Sequence, residues 1–331
     1  MRGALVKALV TGASGFIGGA VARTLLAKGI DVRVLLRPGT TPNVPDPAAV
    51  DIVRGDLRNA SSVHAAAAGC AAVFHVGALY SFAADRTALH ETNVGGTRNV
   101  IAAARAAGAR LVYTSSISTI GGMREGAIPD EGQDAGHIAP GPYKESKWRA
   151  ERLVRDEAVR GVDAVIVNPT FPIGWGDVKP TPTGALIRDF LHGRLPAYVD
   201  TGMNVVDVDD VAEGHWLALE RGRRGERYIL GNANLTMREL LELLAQVSGR
   251  KAPRLRLPYA LALGLAYADK FLFRRHARIP LEGVRTAHEI RFASSARAIR
   301  ELGLPQTPVR TTLEKAVRWF QLQPAAAQER S

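Results

Sequence analysis

One feature constrains this chain more than any other: a glycine-spaced turn between an apolar strand and an alanine-rich helix near the N-terminus. Residues 4–10 read as the strand, Thr11-Gly12-Ala13-Ser14-Gly15-Phe16-Ile17-Gly18 as the turn and 16–28 as the helix. Glycines at that spacing let a phosphate approach the backbone closely. The amides and dipole at the helix N-terminus then favour its negative charge. The position of the turn, after a strand and before a helix, predicts a dinucleotide pyrophosphate cradle at Gly12, Ser14, Gly15, Phe16, Ile17 and Gly18.

The rest of the first half keeps the same rhythm. Residues 32–36, 52–53, 72–76, 111–114 and 164–167 read as buried strands, and 61–68, 93–107 and 143–160 as helices. Near-continuous apolar strands alternating with helices predict a parallel sheet covered on both faces. The expected class is α/β, a doubly wound parallel Rossmann sheet over residues 1–168. Past Pro169 prolines and glycines crowd in, which predicts a smaller C-terminal substrate-binding lobe over 169–331. Two stretches, 205–211 and 226–230, read as returns to the sheet, so the chain re-enters it near 203–230. Thr236-Met237-Arg238-Glu239 is a capping-box pattern opening a helix. At 331 residues, 46% apolar and 23% charged, the chain has material for such a core.

The turn T-G-x-x-G-F-x-G resembles the fingerprint of extended short-chain dehydrogenases/reductases, the NAD-dependent epimerase/dehydratase family. By that resemblance Asp56 and Leu57, in Gly55-Asp56-Leu57, would meet adenine. Val76, Gly77 and Ala78, following His75, would flank the cofactor ribose, and Pro169 and Thr170 would meet the nicotinamide carboxamide. Charge argues for NADP as the cofactor, with NAD as the alternative. No acid follows the second strand to take a ribose 2′-hydroxyl, and Arg37 stands where a 2′-phosphate would lie.

Tyr143-Lys144-Glu145-Ser146-Lys147 is Y-x-x-x-K at a helix start, which puts phenol and ammonium on one helix face. A nearby lysine and an oxidised nicotinamide both stabilise phenolate, so Tyr143 can give and take a proton. The resemblance adds Ser116 as hydrogen-bond donor to the reacting oxygen, with Ser115 and Ser118 as alternatives, and gives Lys147 the nicotinamide ribose as well.

The C-terminal half resembles hopanoid-associated sugar epimerases and dihydroflavonol-reductase-like and 3β-hydroxysteroid-dehydrogenase-like proteins. The residues that carry this are 168–177, 179–184, 196–202 and 206–212. In such a fold Tyr80, Phe82, Met123, Asn168, Trp175 and Tyr198 would line the substrate pocket, ordinary core packing being the alternative for each. Many sugar-nucleotide members open the 168–174 segment with arginine, where this sequence has Val167-Asn168. Three functions follow. In an epimerase, hydride leaves a secondary alcohol and returns to its other face. In an NADPH-dependent ketone reductase, Tyr143 protonates the carbonyl oxygen. A cofactor-binding regulator would not need the tyrosine.

Net charge is +11, and residues 250–300 hold 12 Lys/Arg against 3 Asp/Glu. A ten-residue apolar run, 259–268, sits in that basic region and is followed by Arg274, Arg275 and Arg278. Segment 258–278 is too short to span a bilayer. It suits peripheral contact with an anionic membrane or, alternatively, packing on the substrate lobe or on a homodimer partner. The expected partner is a small molecule, lipid- or sugar-linked, with no nucleic acid, because no recognition module is present. The lone cysteine, Cys70, reads as a buried small hydrophobe, and no clustered ligands for zinc occur. No apolar leader precedes the first strand, so a cytoplasmic location, with membrane association as the variant, is expected.

Overall fold

The computed structural model describes residues 7–80, 85–123, 126–136, 141–273, 281–286 and 289–323. The strands are β1 Lys7–Thr11, β2 Asp31–Leu36, β3 Asp51–Arg54, β4 Ala72–His75, β5 Arg110–Thr114, β6 Ala164–Pro169, β7 Phe171–Ile173, β8 Ala197–Val199, β9 Gly202–Asp207, β10 Arg227–Leu230, β11 Ala233–Thr236 and β12 Leu255–Leu257. The α-helices are α1 Phe16–Ala27, α2 Ala60–Ala67, α3 Arg86–His90, α4 Gly96–Ala107, α5 Pro142–Val159, α6 Pro182–Leu191, α7 Val208–Arg221, α8 Met237–Ser248, α9 Tyr259–Phe273, α10 Leu281–Thr286, α11 Ala296–Leu302 and α12 Val309–Leu322.

A seven-stranded sheet runs in the order β10-β6-β5-β4-β1-β2-β3, and every pairing in it is parallel. Successive residues of β1 serve opposite faces. Ala8 and Val10 pack with α1 and α7, together with Val34, Phe74 and Val112. Leu9 packs with α2, α4 and α5, together with Val73, Leu111 and Ile166. Both faces are therefore apolar, which is why the strands carry almost no polar alternation. Each fully buried side chain such as Leu9 or Phe74 is worth about 1.5–3 kcal/mol. The strand order reverses between β1 and β4, the point at whose carboxyl ends open α/β sheets generally form a ligand crevice.

The chain leaves this sheet after Pro169. A smaller sheet, β11-β9-β7, and a two-stranded pair, β12-β8, follow. Their core is Ile187, Phe190, Leu240, Leu244, Leu313 and Phe320, drawn from α6, α8 and α12. The expected capping box is present: Glu239 N donates to Thr236 Oγ1 at 3.2 Å, and Thr236 N donates to Glu239 Oε2 at 2.8 Å. Of the two expected returns to the large sheet, 226–230 supplies edge strand β10 beside β6. The other differs. Gly202–Asp207 pairs with β7 and β11 in the small sheet, and α7 starts at Val208, where the Asp207 side chain accepts from Asp209 N at 2.9 Å. Apolar alternation marks a strand but does not say which sheet receives it. The helix expected over 93–107 is preceded by a π turn, Glu91–Gly95, which carries Asn93 into the site below.

Candidate active site

The glycine turn fills the reversal point of the sheet. Gly12 has φ +76°, and a Cβ there would lie 2.7 Å from the Gly77 backbone. A Cβ on Gly18 would lie 2.2 Å from Gly12 O. Bare backbone at both positions lets α1 start tight against the end of β4. The α1 N-cap, Gly15, supplies no side-chain hydrogen bond, so the first-turn amides of Phe16 and Ile17 are not capped by it. Ser14, Gly15 and Ile17 are half-buried and Phe16 is buried. This glycine-walled helix N-terminus fits a dinucleotide pyrophosphate.

His75 closes the floor of the crevice. Gly77 N donates to Thr11 Oγ1 at 3.0 Å, and Thr11 Oγ1 lies 2.9 Å from His75 Nδ1. His75 Nε2 lies 3.0 Å from Thr97 Oγ1, which donates to Asn93 O at 2.6 Å. The chain is consistent only if Nε2 carries the proton. Burial pushes the imidazole down to about 3, helped by the charge of Lys147, so it stays neutral. His75 is a strut that orients Val76 and Gly77.

Around the rim, Arg37 is exposed just past the end of β2. Its carbonyl accepts from Arg54 Nη1 at 3.2 Å, and Thr40 O accepts from the same nitrogen at 2.6 Å. The Asp56 carboxylate is gripped by Arg58, Nε to Oδ1 at 2.9 Å and Nη2 to Oδ2 at 3.0 Å. Arg58 above all, with Arg37 further off, holds it below the usual carboxylate range. Leu57 O accepts from Asn99 Nδ2 at 2.8 Å. Asp31 sits at the opposite end of β2, paired with Lys7 at 3.1 Å. Across the crevice, Pro169 ends β6 and Thr170 N donates to Leu230 O at 3.1 Å. Ala78 is exposed at the mouth.

The proton-handling groups gather at the end of β5. Ser116 Oγ accepts from Ser118 N at 3.1 Å, which leaves its own proton to donate. It faces the Tyr143 phenol closely enough to pull its pKa down, though burial and then Tyr80 push the phenol well above its ordinary value. Ser115 does not compete, because its hydroxyl donates to Glu151 Oε2 at 2.5 Å. The Ser118 hydroxyl is buried without a partner. Lys147 is buried, donates to Thr114 O at 2.7 Å, and sits 4.8 Å from the centre of the Tyr113 ring. Burial lowers it to about 8, against the opposing pull of Glu151. Tyr80, expected from the sequence to line the substrate pocket, stands edge-on to Tyr143 with centroids 4.7 Å apart. Asn93 ties the same corner together: it accepts from Leu79 N at 2.7 Å and donates to Ser146 Oγ at 2.9 Å.

Beneath these groups lies a buried polar cluster that sequence reasoning missed. Glu151 Oε2 is 2.5, 2.6 and 2.9 Å from donors on Ser115, Thr119 and Asn168, and Oε1 accepts from Arg227 Nη1 at 2.9 Å. Arg227 also donates to the Glu131 and Gln133 carbonyls. The available signal was helical: Tyr143, Lys147 and Glu151 are spaced by four and share a face of α5. Asn168, read from sequence as a substrate contact, is 0% exposed. Its Nδ2 lies 2.9 Å from Thr119 Oγ1 and 3.1 Å from Ser116 O, so it braces Ser116 from below. Trp175 also differs from its expected pocket role. It stacks edge-on with Trp319 at 4.6 Å, with the Arg23 guanidinium 5.3 Å away, and so bridges α1 and α12. Tyr198 packs against the small-lobe core, Met123 is half-buried, and Phe82 lies outside the described residues.

The arrangement can exchange a proton at an oxygen placed between Tyr143 and Ser116. A sequence profile of the NAD dependent epimerase/dehydratase family matches residues 8–231. The chain belongs to this family. As a member of it, the chain is an oxidoreductase or epimerase of the extended short-chain dehydrogenase/reductase type. It is 42% identical over 322 residues to a Synechocystis protein named for dihydroflavonol 4-reductase, covering 94% of each chain. It is 37% identical over 320 residues to sterol demethylase protein B of Methylococcus capsulatus, covering 94% of this chain and 97% of the relative. A solved nucleoside-diphosphate-sugar epimerase from Pseudomonas aeruginosa superposes with a TM-score of 0.79 at 28% identity, covering 96% of this chain and 98% of that one.

Proposed function

We propose that this epimerase/dehydratase-family chain interconverts a secondary alcohol and a ketone on a lipophilic or lipid-linked small molecule, with Tyr143 as the proton-transfer residue. The observation that supports the reading is the contact of Ser116 with the Tyr143 phenol just past β5, with Lys147 one helix turn along the same face and anchored on Thr114 O. When bound, the nicotinamide supplies or takes up hydride at the carbon and, oxidised, adds positive charge beside the phenol. In the reducing direction Tyr143 Oη gives its proton to the carbonyl oxygen, and in the other it takes the proton back. Ser116 Oγ donates a hydrogen bond to that oxygen and holds it in line. Lys147, fixed by Thr114 O, presents its charge on the same helix face and reaches toward the ribose.

Residues 1–168 hold the dinucleotide and 169–331 cover the substrate. Gly12 to Gly18 take the pyrophosphate, Asp56 and Leu57 the adenine, Val76 to Ala78 the ribose, and Pro169 and Thr170 the carboxamide. Arg37, exposed just past β2 with no acid next to it in sequence, supports NADP over NAD, while Arg54 braces the Arg37 and Thr40 carbonyls and Arg58 is taken up by Asp56. The dihydroflavonol reductase-like and sterol demethylase B relatives favour reduction or dehydrogenation of a lipophilic ketone or alcohol. The sugar-nucleotide epimerase likeness supports a second reading, epimerisation.

Tyr143→Phe tests the assignment. Turnover should fall by about 10²–10⁴-fold while cofactor affinity is unchanged, and retained turnover would overturn it. The near-ultraviolet absorbance of reduced cofactor separates the two reactions. Steady consumption by added ketone supports the reductase, and cofactor that stays bound without net turnover supports the epimerase.

A further inference from the structure

Helix α9 presents a face that ordinary surface helices do not have. Ala262 and Ala266, one turn apart, are buried and mark the side toward the protein. On the arc turned away from them Leu261, Leu265, Tyr267, Phe271 and Leu272 are 52%, 45%, 46%, 82% and 69% exposed. At 3.6 residues per turn, the other residues on that arc are alanine and glycine. Asp269 and Lys270 fall outside it by the same rotation. A helix in water normally puts its charges on this side, and a contiguous exposed apolar strip marks an interaction surface.

The surrounding charge selects the partner. Arg250, Lys251, Arg254 and Arg256 are exposed just before the helix. Of these, Arg256 is paired with Asp200 at 2.8 Å. Lys270 closes the last described turns, and between residues 250 and 273 the only acid is Asp269. A second copy of the chain docked face to face would set one basic collar against another, which is repulsive. An anionic lipid surface offers the opposite sign to the collar and an apolar layer to the strip. Tyr267 lies at one edge of the strip, where its hydroxyl accepts from Arg285 Nη2 at 2.5 Å and the Arg285 guanidinium lies 5.3 Å from its ring centre, adding a further cation beside the apolar face. The helix cannot go deeper: its 15 residues span about 22 Å, short of the roughly 30 Å of a hydrocarbon core. Among the described residues no helix is long and apolar enough to cross a membrane.

We propose that α9 lies in the interfacial layer of an anionic bilayer, its Leu261–Leu272 face inserted and its basic collar on the headgroups. This holds whichever reaction the chain catalyses, so binding and turnover can fail separately. The test is co-sedimentation of the full chain with phosphatidylcholine vesicles, with and without phosphatidylglycerol. The protein should pellet with the anionic vesicles and be released by high salt. Phe271→Ser with Leu272→Ser should weaken binding about tenfold or more. Lys251→Gln and Arg254→Gln should each weaken it by about fivefold. All these side chains are exposed, so thermal unfolding and cofactor affinity should stay at wild-type values. Protein that remains in the supernatant with anionic vesicles overturns the proposal. So does binding indifferent to these substitutions, or a Phe271/Leu272 variant that only turns a dimer into a monomer.

Discussion

Glu151→Ala is the perturbation whose outcome the structure fixes most closely. The Glu151 and Arg227 side chains are 4% and 6% exposed. Removing the carboxylate strands the Arg227 guanidinium in the core and leaves the Ser115, Thr119 and Asn168 donors facing a void. Breaking a buried pair from one side costs about 3–5 kcal/mol. For a chain of 331 residues the unfolding entropy is about 0.7 kcal/mol per degree, so Tm should fall by about 4–7 °C. Glu151→Leu combined with Arg227→Met removes both charges and should cost less than the sum of the single changes. A second readout concerns Lys147, whose pKa of about 8 Glu151 helps to hold up. An ammonium that must stay charged loses its proton as pH rises through that value, so kcat/KM should decline above about pH 8, and in Glu151→Gln the decline should begin at lower pH. Scanning calorimetry and a pH–rate profile measure the two effects. A Tm within a degree of wild type together with an unmoved alkaline limb would refute the role assigned to Glu151.

Other outcomes follow from the same geometry. His75, and His215 on α7 with Nδ1 2.7 Å from Val211 O, are buried and pushed by that burial down to about 3 and about 4. The unfolded chain therefore takes up their protons first as pH falls below about 6.5, so stability is complete above that value and drains away toward the folded-state values. Tm that stays flat from neutral pH to about pH 4 would contradict this. Gly18→Ala drives a Cβ to 2.2 Å from Gly12 O and should abolish cofactor binding, read by quenching of intrinsic fluorescence on titration with NADPH. Arg37→Ala should raise the KM for NADPH by about tenfold and leave that for NADH almost unmoved, and equal effects on both would remove Arg37 from the 2′-phosphate site.

What could be read from the chain was local. The glycine turn, the Y-x-x-x-K spacing and the capping box at Thr236 are each complete within eight residues, so the pattern can be read without knowing what packs against it. The seven-stranded sheet was legible for a related reason, since burial on both faces leaves near-continuous apolar runs. Long-range pairings left no such trace. Nothing near Asn168 announces that its amide is spoken for by Glu151 and Thr119. Trp175 looked like a pocket aromatic because its partner, Trp319, lies far along the chain on α12. The stretch at 205–211 showed the alternation of a strand, but its sheet was decided by β7 and β11. Besides the four-residue spacing of Tyr143, Lys147 and Glu151, Arg227, a lone charge opening an otherwise apolar strand, hinted at the buried cluster, but its partner lies 76 residues earlier.

That separation bears on how the protein is made. As the chain leaves the ribosome, α5 and β6 are complete long before β10 exists. Until residue 230 has emerged, β6 exposes an open hydrogen-bonding edge, and Glu151 lacks its Arg227 partner. Helix α5 therefore cannot settle in its final seat until about two-thirds of the polypeptide is available. Nascent chains stalled short of Arg227 should be the ones that chaperones hold and proteases remove.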